Sequence, residues 1–158
     1  MWKKVVLLTL FFVLAVSAAH GQEGGRLGMG LVMGNPTGIA WKYRMNEINA
    51  VDGSIGFSPY DRFRFNVDYL WHSRPFKEQS LAIHYGPGVA FGVANSASAP
   101  FPGSNSGNAG FGVRGLVGLT YAINNSPVDV FFELAPLVVL VPGPASGIDL
   151  GFGLRAYP

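Results

Sequence analysis

The chain has 158 residues, enough for one domain and too few for two. Only 13% of them are charged, while glycine reaches 22 residues and cysteine is absent. The missing thiols exclude disulfides, thiolate metal sites and a cysteine-linked lipid anchor.

The first residues read as an export signal. MWKK supplies a basic head, Val5 to Val16 an apolar stretch, and Ser17, Ala19 and Gly21 the small residues that fit a cleavage site. We expect residues 1–21 to be a cleaved signal peptide and 22–158 to be a single domain. Losing Lys3 and Lys4 with the signal leaves nine basic residues against nine acidic ones. That balance gives no electrostatic footing for nucleic-acid binding.

Eight candidate strands follow in order: 26–33, 37–45, 49–58, 62–72, 81–93, 110–122, 128–141 and 146–157. Turn-forming stretches separate several of them: GNPTG at 34–38, SPYD at 58–61, INNSP at 123–127 and PGPASG at 142–147. The fourth, RFRFNVDYLWH, keeps a strict two-residue beat. Phe63, Phe65, Val67, Tyr69 and Trp71 fall on one face; Arg62, Arg64, Asn66, Asp68 and His72 fall on the other, with Leu70 as the one apolar intruder. In the fifth and sixth strands the polar parity is mostly small (Ala82, His84, Gly86, Gly88; Gly110, Gly112, Arg114, Gly118), and the opposite parity is broad and apolar. No helical period is convincing after residue 22.

A water-facing surface would be rich in Lys and Glu, and one built mostly of glycine would be weak. A narrow lumen needs small residues and paired charges instead. The apolar parity therefore predicts a lipid-facing surface, with Tyr69 and Trp71 toward a membrane interface. Strands in lipid must close on themselves, so the expected fold is an eight-stranded antiparallel up-and-down transmembrane β-barrel with a filled polar lumen. With both ends of the barrel domain in the periplasm, the long connection 94–110 lies outside the cell.

The inward parity carries Lys42, Arg44, Asp52, Arg62, Arg64, Asp68, Arg114, Asp129, Glu133, Asp149 and Arg155. Six bases against five acids predict a self-neutralising structural network, with Arg62, Arg64, Asp68, Arg114, Glu133, Asp149 and Arg155 as its candidate members. Eight strands enclose a space just wide enough for side chains, which argues against a permanent pore. Two histidines after the signal, His72 and His84, without a GxSxG elbow, predict no enzyme. They also make no recognisable metal spacing, so no metal or cofactor is expected. Gly28-Met29-Gly30 is followed by Met33 where a dinucleotide motif needs glycine. Phe101, between Pro100 and Pro102 in the uncharged loop, is the candidate anchor for an extracellular partner.

The segments MGLVMGNPTGIAWKY, VDYLWH, HYGPGVAFG, GVRGLVGLTYAINNSPVDVFFELAP and IDLGFGLRAY resemble a family of small bacterial outer-membrane β-barrel proteins of uncharacterised function. The resemblance implies an eight-stranded barrel in the bacterial outer membrane, with no assigned catalytic residues. Such barrels usually end in an aromatic residue; here Tyr157 stands one step out of phase with Leu150, Phe152 and Leu154, and Pro158 follows it. The expected role is structural or interaction-based at the cell envelope, in a monomer contacting outer-membrane lipid and the barrel-assembly machinery. A narrow porin-like channel is the alternative, and a lipid-modifying enzyme a more distant one.

Overall fold

The structure, a computed structural model, describes residues 25–58, 63–77, 80–94, 101 and 109–158. The proposed signal at 1–21 and Arg62 lie outside the described residues, as does most of the 94–110 connection. Eight strands form: β1 (Leu27–Gly34), β2 (Thr37–Arg44), β3 (Asn49–Phe57), β4 (Phe63–Ser73), β5 (Leu81–Val93), β6 (Ala109–Ala122), β7 (Val128–Val141) and β8 (Ala145–Ala156). Each pairs antiparallel with the next, and β8 pairs with β1, so the sheet is a closed up-and-down barrel. The β2–β3, β4–β5 and β6–β7 connections share one end of the barrel with both ends of the described chain. Gly25 N donates to Pro158 O there at 3.0 Å. This is called the terminal end below, and the opposite one the loop end.

The alternation read in the sequence is the alternation of burial. Along β4, Arg64, Asn66, Asp68 and Leu70 are buried while Phe65, Tyr69 and Trp71 are exposed. Along β6, Gly110, Gly112, Arg114, Leu116, Gly118 and Thr120 point in, and Phe111, Val113, Val117, Leu119 and Tyr121 point out. The outward aromatics are sorted by height. Tyr43, Tyr69, Trp71, Tyr85 and Tyr121 lie toward the terminal end, with Tyr69 and Trp71 edge to face at 5.3 Å. Gly53 faces outward yet is buried, because the Trp41 ring opposite it on β2 covers it; a Cβ there would strike that ring.

The lumen is less uniformly polar than its composition suggested. Ala50, Leu70, Leu116 and Ala135 form one apolar cluster, and Val32, Ala40 and Phe131 another. A third joins Ala90, Leu137 and Val139 with Phe101. β7 supplies much of this, since VDVFFELAPLVV is apolar on both faces and its period is hidden from a reader of the sequence.

Two prolines interrupt the wall. The β4–β5 ladder runs to Asp68↔Gly88 and resumes at Trp71↔Tyr85, skipping the level of Pro87. The β6–β7 ladder breaks likewise between Arg114↔Leu137 and Val117↔Leu134, at Pro136. Proline has no N–H to give a ladder, so each break falls where the chemistry demands it. Pro87 pairs with Gly115 across β5–β6, and these small outward residues leave a trough of about 1110 Å³ walled by Val89, Val113, Val138 and Ile148.

Candidate functional site: the charged lumen

Strand register brings the inward charges into two clusters. Toward the loop end, Arg114 grips Asp68 with both arms of its fork: Nε donates to Oδ1 at 2.7 Å and Nη2 to Oδ2 at 2.6 Å. Asp68 lies over Gly88, where any Cβ would collide with its carboxylate. Arg114 Nη1 also reaches Asp149 at 3.5 Å, and Arg64 Nη1 approaches the same oxygen at 3.7 Å. Asp149 is completed by the β1–β2 turn, where Asn35 Nδ2 donates to Oδ1 at 2.7 Å. With its amide oxygen turned toward Arg114, Asn66 accepts from Arg114 Nη1 at 3.1 Å and from Ser54 Oγ at 3.2 Å.

Nearer the terminal end, Arg155 holds three acids. Its Nε donates to Asp129 Oδ1 at 3.2 Å and its Nη1 to Asp52 Oδ2 at 3.2 Å, with Glu133 at 3.8 Å. The guanidinium lies 3.9 Å from the centroid of the Phe131 ring, which screens one face of it from anything polar. Tyr157 Oη donates to Asp129 Oδ2 at 2.7 Å, and Arg44 stacks on the Tyr157 ring at 3.7 Å. Burial pushes the Tyr157 phenol above its ordinary range, so it stays a donor. The out-of-phase aromatic thus has a structural account: it turns inward to plug the lumen, over Gly28, where a Cβ would strike the ring. Gly28 therefore serves this close packing.

Of the network members expected from the sequence, Arg64, Asp68, Arg114, Asp149 and Arg155 are buried inward and Glu133 is mostly buried, while Arg62 is outside the described residues. The described members fall into two clusters. Among the described residues no ion pair joins the Arg114 cluster to the Arg155 cluster. Sequence reasoning gave no network role to Asn35 or to Tyr157, though Tyr157 shares the inward parity of Asp149 and Arg155. The first was visible as part of a turn motif and the second as a break in phase.

Phe101 corrects an expectation. It is fully buried instead of standing on the outer surface, packed with Ala90, Leu137 and Val139, its ring centroid 4.0 Å from the Arg64 guanidinium carbon. The physical reason is plain: an apolar ring gains by leaving water, and the lumen offers it aliphatic walls and a cation for its π face. Phe101 is therefore not available as an extracellular anchor.

One arrangement has the parts of a catalytic chain. His84 Nε2 lies 3.2 Å from Glu133 Oε1, and its Nδ1 lies 3.1 Å from Thr120 Oγ1. A hydroxyl, an imidazole and a carboxylate are linked, with Thr120 contributed by β6, the strand beside His84. The backbone around Thr120 is engaged on both sides by the ladders to β5 and β7. No pair of N–H groups is thereby presented to a developing oxyanion. The chain gives both ring nitrogens of the buried His84 a partner. Among the described residues no group of three or more His, Asp or Glu side chains gathers as a metal site.

Compared with protein-family models, curated proteins and solved structures, the chain matches none.

Proposed function

We propose that this is an exported outer-membrane β-barrel protein of the small bacterial family its motifs resemble, with a structural or interaction role at the cell envelope and no catalytic activity. The observation that carries the reading is inverted polarity. Side chains such as Arg64, Asp68, Asp129 and Arg155 are buried inside, whereas Leu31, Phe65, Val117, Phe132, Leu150 and Phe152 are exposed around the wall. In water that wall would be a far larger apolar patch than soluble monomers expose. In a bilayer it is matched to lipid, and the closed sheet leaves no strand edge for lipid to meet. Strands β4–β8 are also long enough to cross the hydrocarbon at a tilt. The partners are then outer-membrane lipid and, during biogenesis, the assembly machinery; the filled lumen suits a monomer without a permanent pore.

The reading is tested by fractionating the envelope and running the outer-membrane fraction unheated and boiled. The expected result is a heat-dependent change in apparent mass in that fraction. A soluble periplasmic protein with no such shift would refute it and make the apolar face a core. A narrow conductance is the second reading, favoured by a cavity that enters the lumen from the terminal end as far as Lys42; a stable open pore in single-channel recordings would establish it over the plugged barrel.

A further inference from the structure

We propose that the cavity at the terminal end of the lumen is a binding site for a compact phosphate-class oxyanion, with Lys42 as its floor. The proposal goes beyond the envelope role, and of its two sources only the phospholipid headgroup rests on that reading. The cavity measures about 410 Å³, at the lower end of the range of small-molecule sites, and Arg26, Lys42, Arg44, His72, Arg74 and Thr120 are among its lining residues. It meets the Arg155 cluster at Asp129 and at Arg44, which pairs with Asp129 at 3.6 Å, and shares no lining residue with the Arg114 cluster.

Lys42 is the decisive residue. Its side chain is 1% exposed, yet among the described residues it makes no hydrogen bond or ion pair, and it lines the cavity. The acids whose charge reaches it are chiefly Asp52, Asp129 and Glu133, and Arg155 holds all three. A buried ammonium is costly unless an anion compensates it at close range. The open direction is the cavity, so that is where a compensating anion is accommodated.

The rim favours the same sign. Arg26 and Arg74 are exposed beside the mouth, and Arg44 stands at its edge, half-exposed on the Tyr157 ring. With Lys42 these three make four cations in the lining, against Glu47 and Asp129. Asp129 is shared among Arg155, Tyr157 and Arg44, and solvent and salt weaken the field of exposed Glu47 as they do those of exposed Arg26 and Arg74, so the buried Lys42 carries the excess positive charge. Lysine supplies a point charge at the floor, and the arginine forks match the geometry of an oxyanion from above. Ala82 and Ala122 keep the walls short enough to leave room, and the Thr120 hydroxyl adds a polar contact. The same chemistry fits inorganic phosphate in solution or the headgroup of an anionic phospholipid at the barrel rim.

The purified barrel in zwitterionic micelles is titrated by calorimetry with inorganic phosphate, sodium chloride holding the ionic strength constant. A second titration uses short-chain phosphatidylglycerol. Saturable heat with either ligand is the expected result, and which one produces it identifies the source. Lys42→Met is expected to weaken binding by about tenfold or more, the scale of a lost charged hydrogen bond. Since Lys42→Met removes a buried charge and can disturb folding, Arg74→Ala and Arg26→Ala are measured in parallel. These exposed variants keep the barrel's boiled-against-unheated gel shift and are expected to weaken binding several-fold. Absence of saturable binding by both ligands would overturn the proposal. So would binding that survives Lys42→Met and both rim substitutions unchanged.

Discussion

The Arg114–Asp68 pair makes a sharp test of how the lumen is held together. Arg114 is 5% exposed and Asp68 1%, so neither charge can be rescued by water where it stands. The β3–β4 register also sets Asp52 directly opposite Asp68, and like charges in that position repel. The two carboxylates coexist because Arg155 holds one and Arg114 the other. Arg114→Met removes that partition: Asp68 loses its bidentate partner and Asp149 keeps Arg64 at 3.7 Å. Breaking a buried pair from one side costs about 3–5 kcal/mol, and the opposed carboxylates push the expectation toward the upper end. Asp68→Asn alone should cost less, because Arg114 retains Asp149 and the repulsion with Asp52 disappears. Combining them should restore stability relative to Arg114→Met, with a coupling energy of about 2 kcal/mol or more, above the scatter of independent sites. The assay is equilibrium urea unfolding of the barrel reconstituted in lipid vesicles, read by tryptophan emission from Trp41 and Trp71 on the wall. A double variant whose destabilisation is the plain sum of the two singles would refute the partition.

Phe101→Ala should cost about 3–5 kcal/mol in the same unfolding assay, the usual penalty for emptying a buried aromatic site; a cost below about 1 kcal/mol would mean the ring does not fill the lumen. Tyr157→Phe keeps the ring over Gly28 but removes the donor to Asp129, and should lose about 1–3 kcal/mol, as for a hydrogen bond to a charged group; an unchanged urea midpoint would count against that bond. On the wall, Val117→Arg should destabilise the barrel by about 2–4 kcal/mol in vesicles if that position sits near the bilayer midplane. If the wall instead faces water, the same substitution should leave the urea midpoint unmoved.

The fold was legible because an up-and-down barrel repeats one rule on every strand. RFRFNVDYLWH states that rule almost without exception, and even Leu70, the intruder, sits where the periodicity puts it, inside against Leu116. β7 was less legible, since Phe131, Leu137 and Val139 are apolar residues that point inward. Which charges are inside could be read from parity; which touch each other could not. Contacts such as Arg155 with Asp52, far apart in the chain, depend on strand stagger around the barrel, and no local pattern encodes stagger. Phe101 was opaque for a different reason. A Pro- and Gly-flanked loop carries no period, so its composition says nothing about whether its one aromatic ring turns out or in.

The topology has a kinetic consequence. Seven of the eight ladders join chain neighbours and can form as local hairpins, but β1 meets β8 only after the chain has come full circle: Met29–Gly34 pairs with Gly151–Ala156. Bringing together ends roughly ten times farther apart along the chain than those of a hairpin costs about 2 kcal/mol more in closure entropy. That ladder is about half the length of the one between β5 and β6, which runs from Leu81 to Val93. The molecule is a necklace of hairpins fastened by one short clasp. Until the clasp shuts, β1 and β8 are bare edges, open to a templating strand from a helper or to a second unfinished copy of the chain.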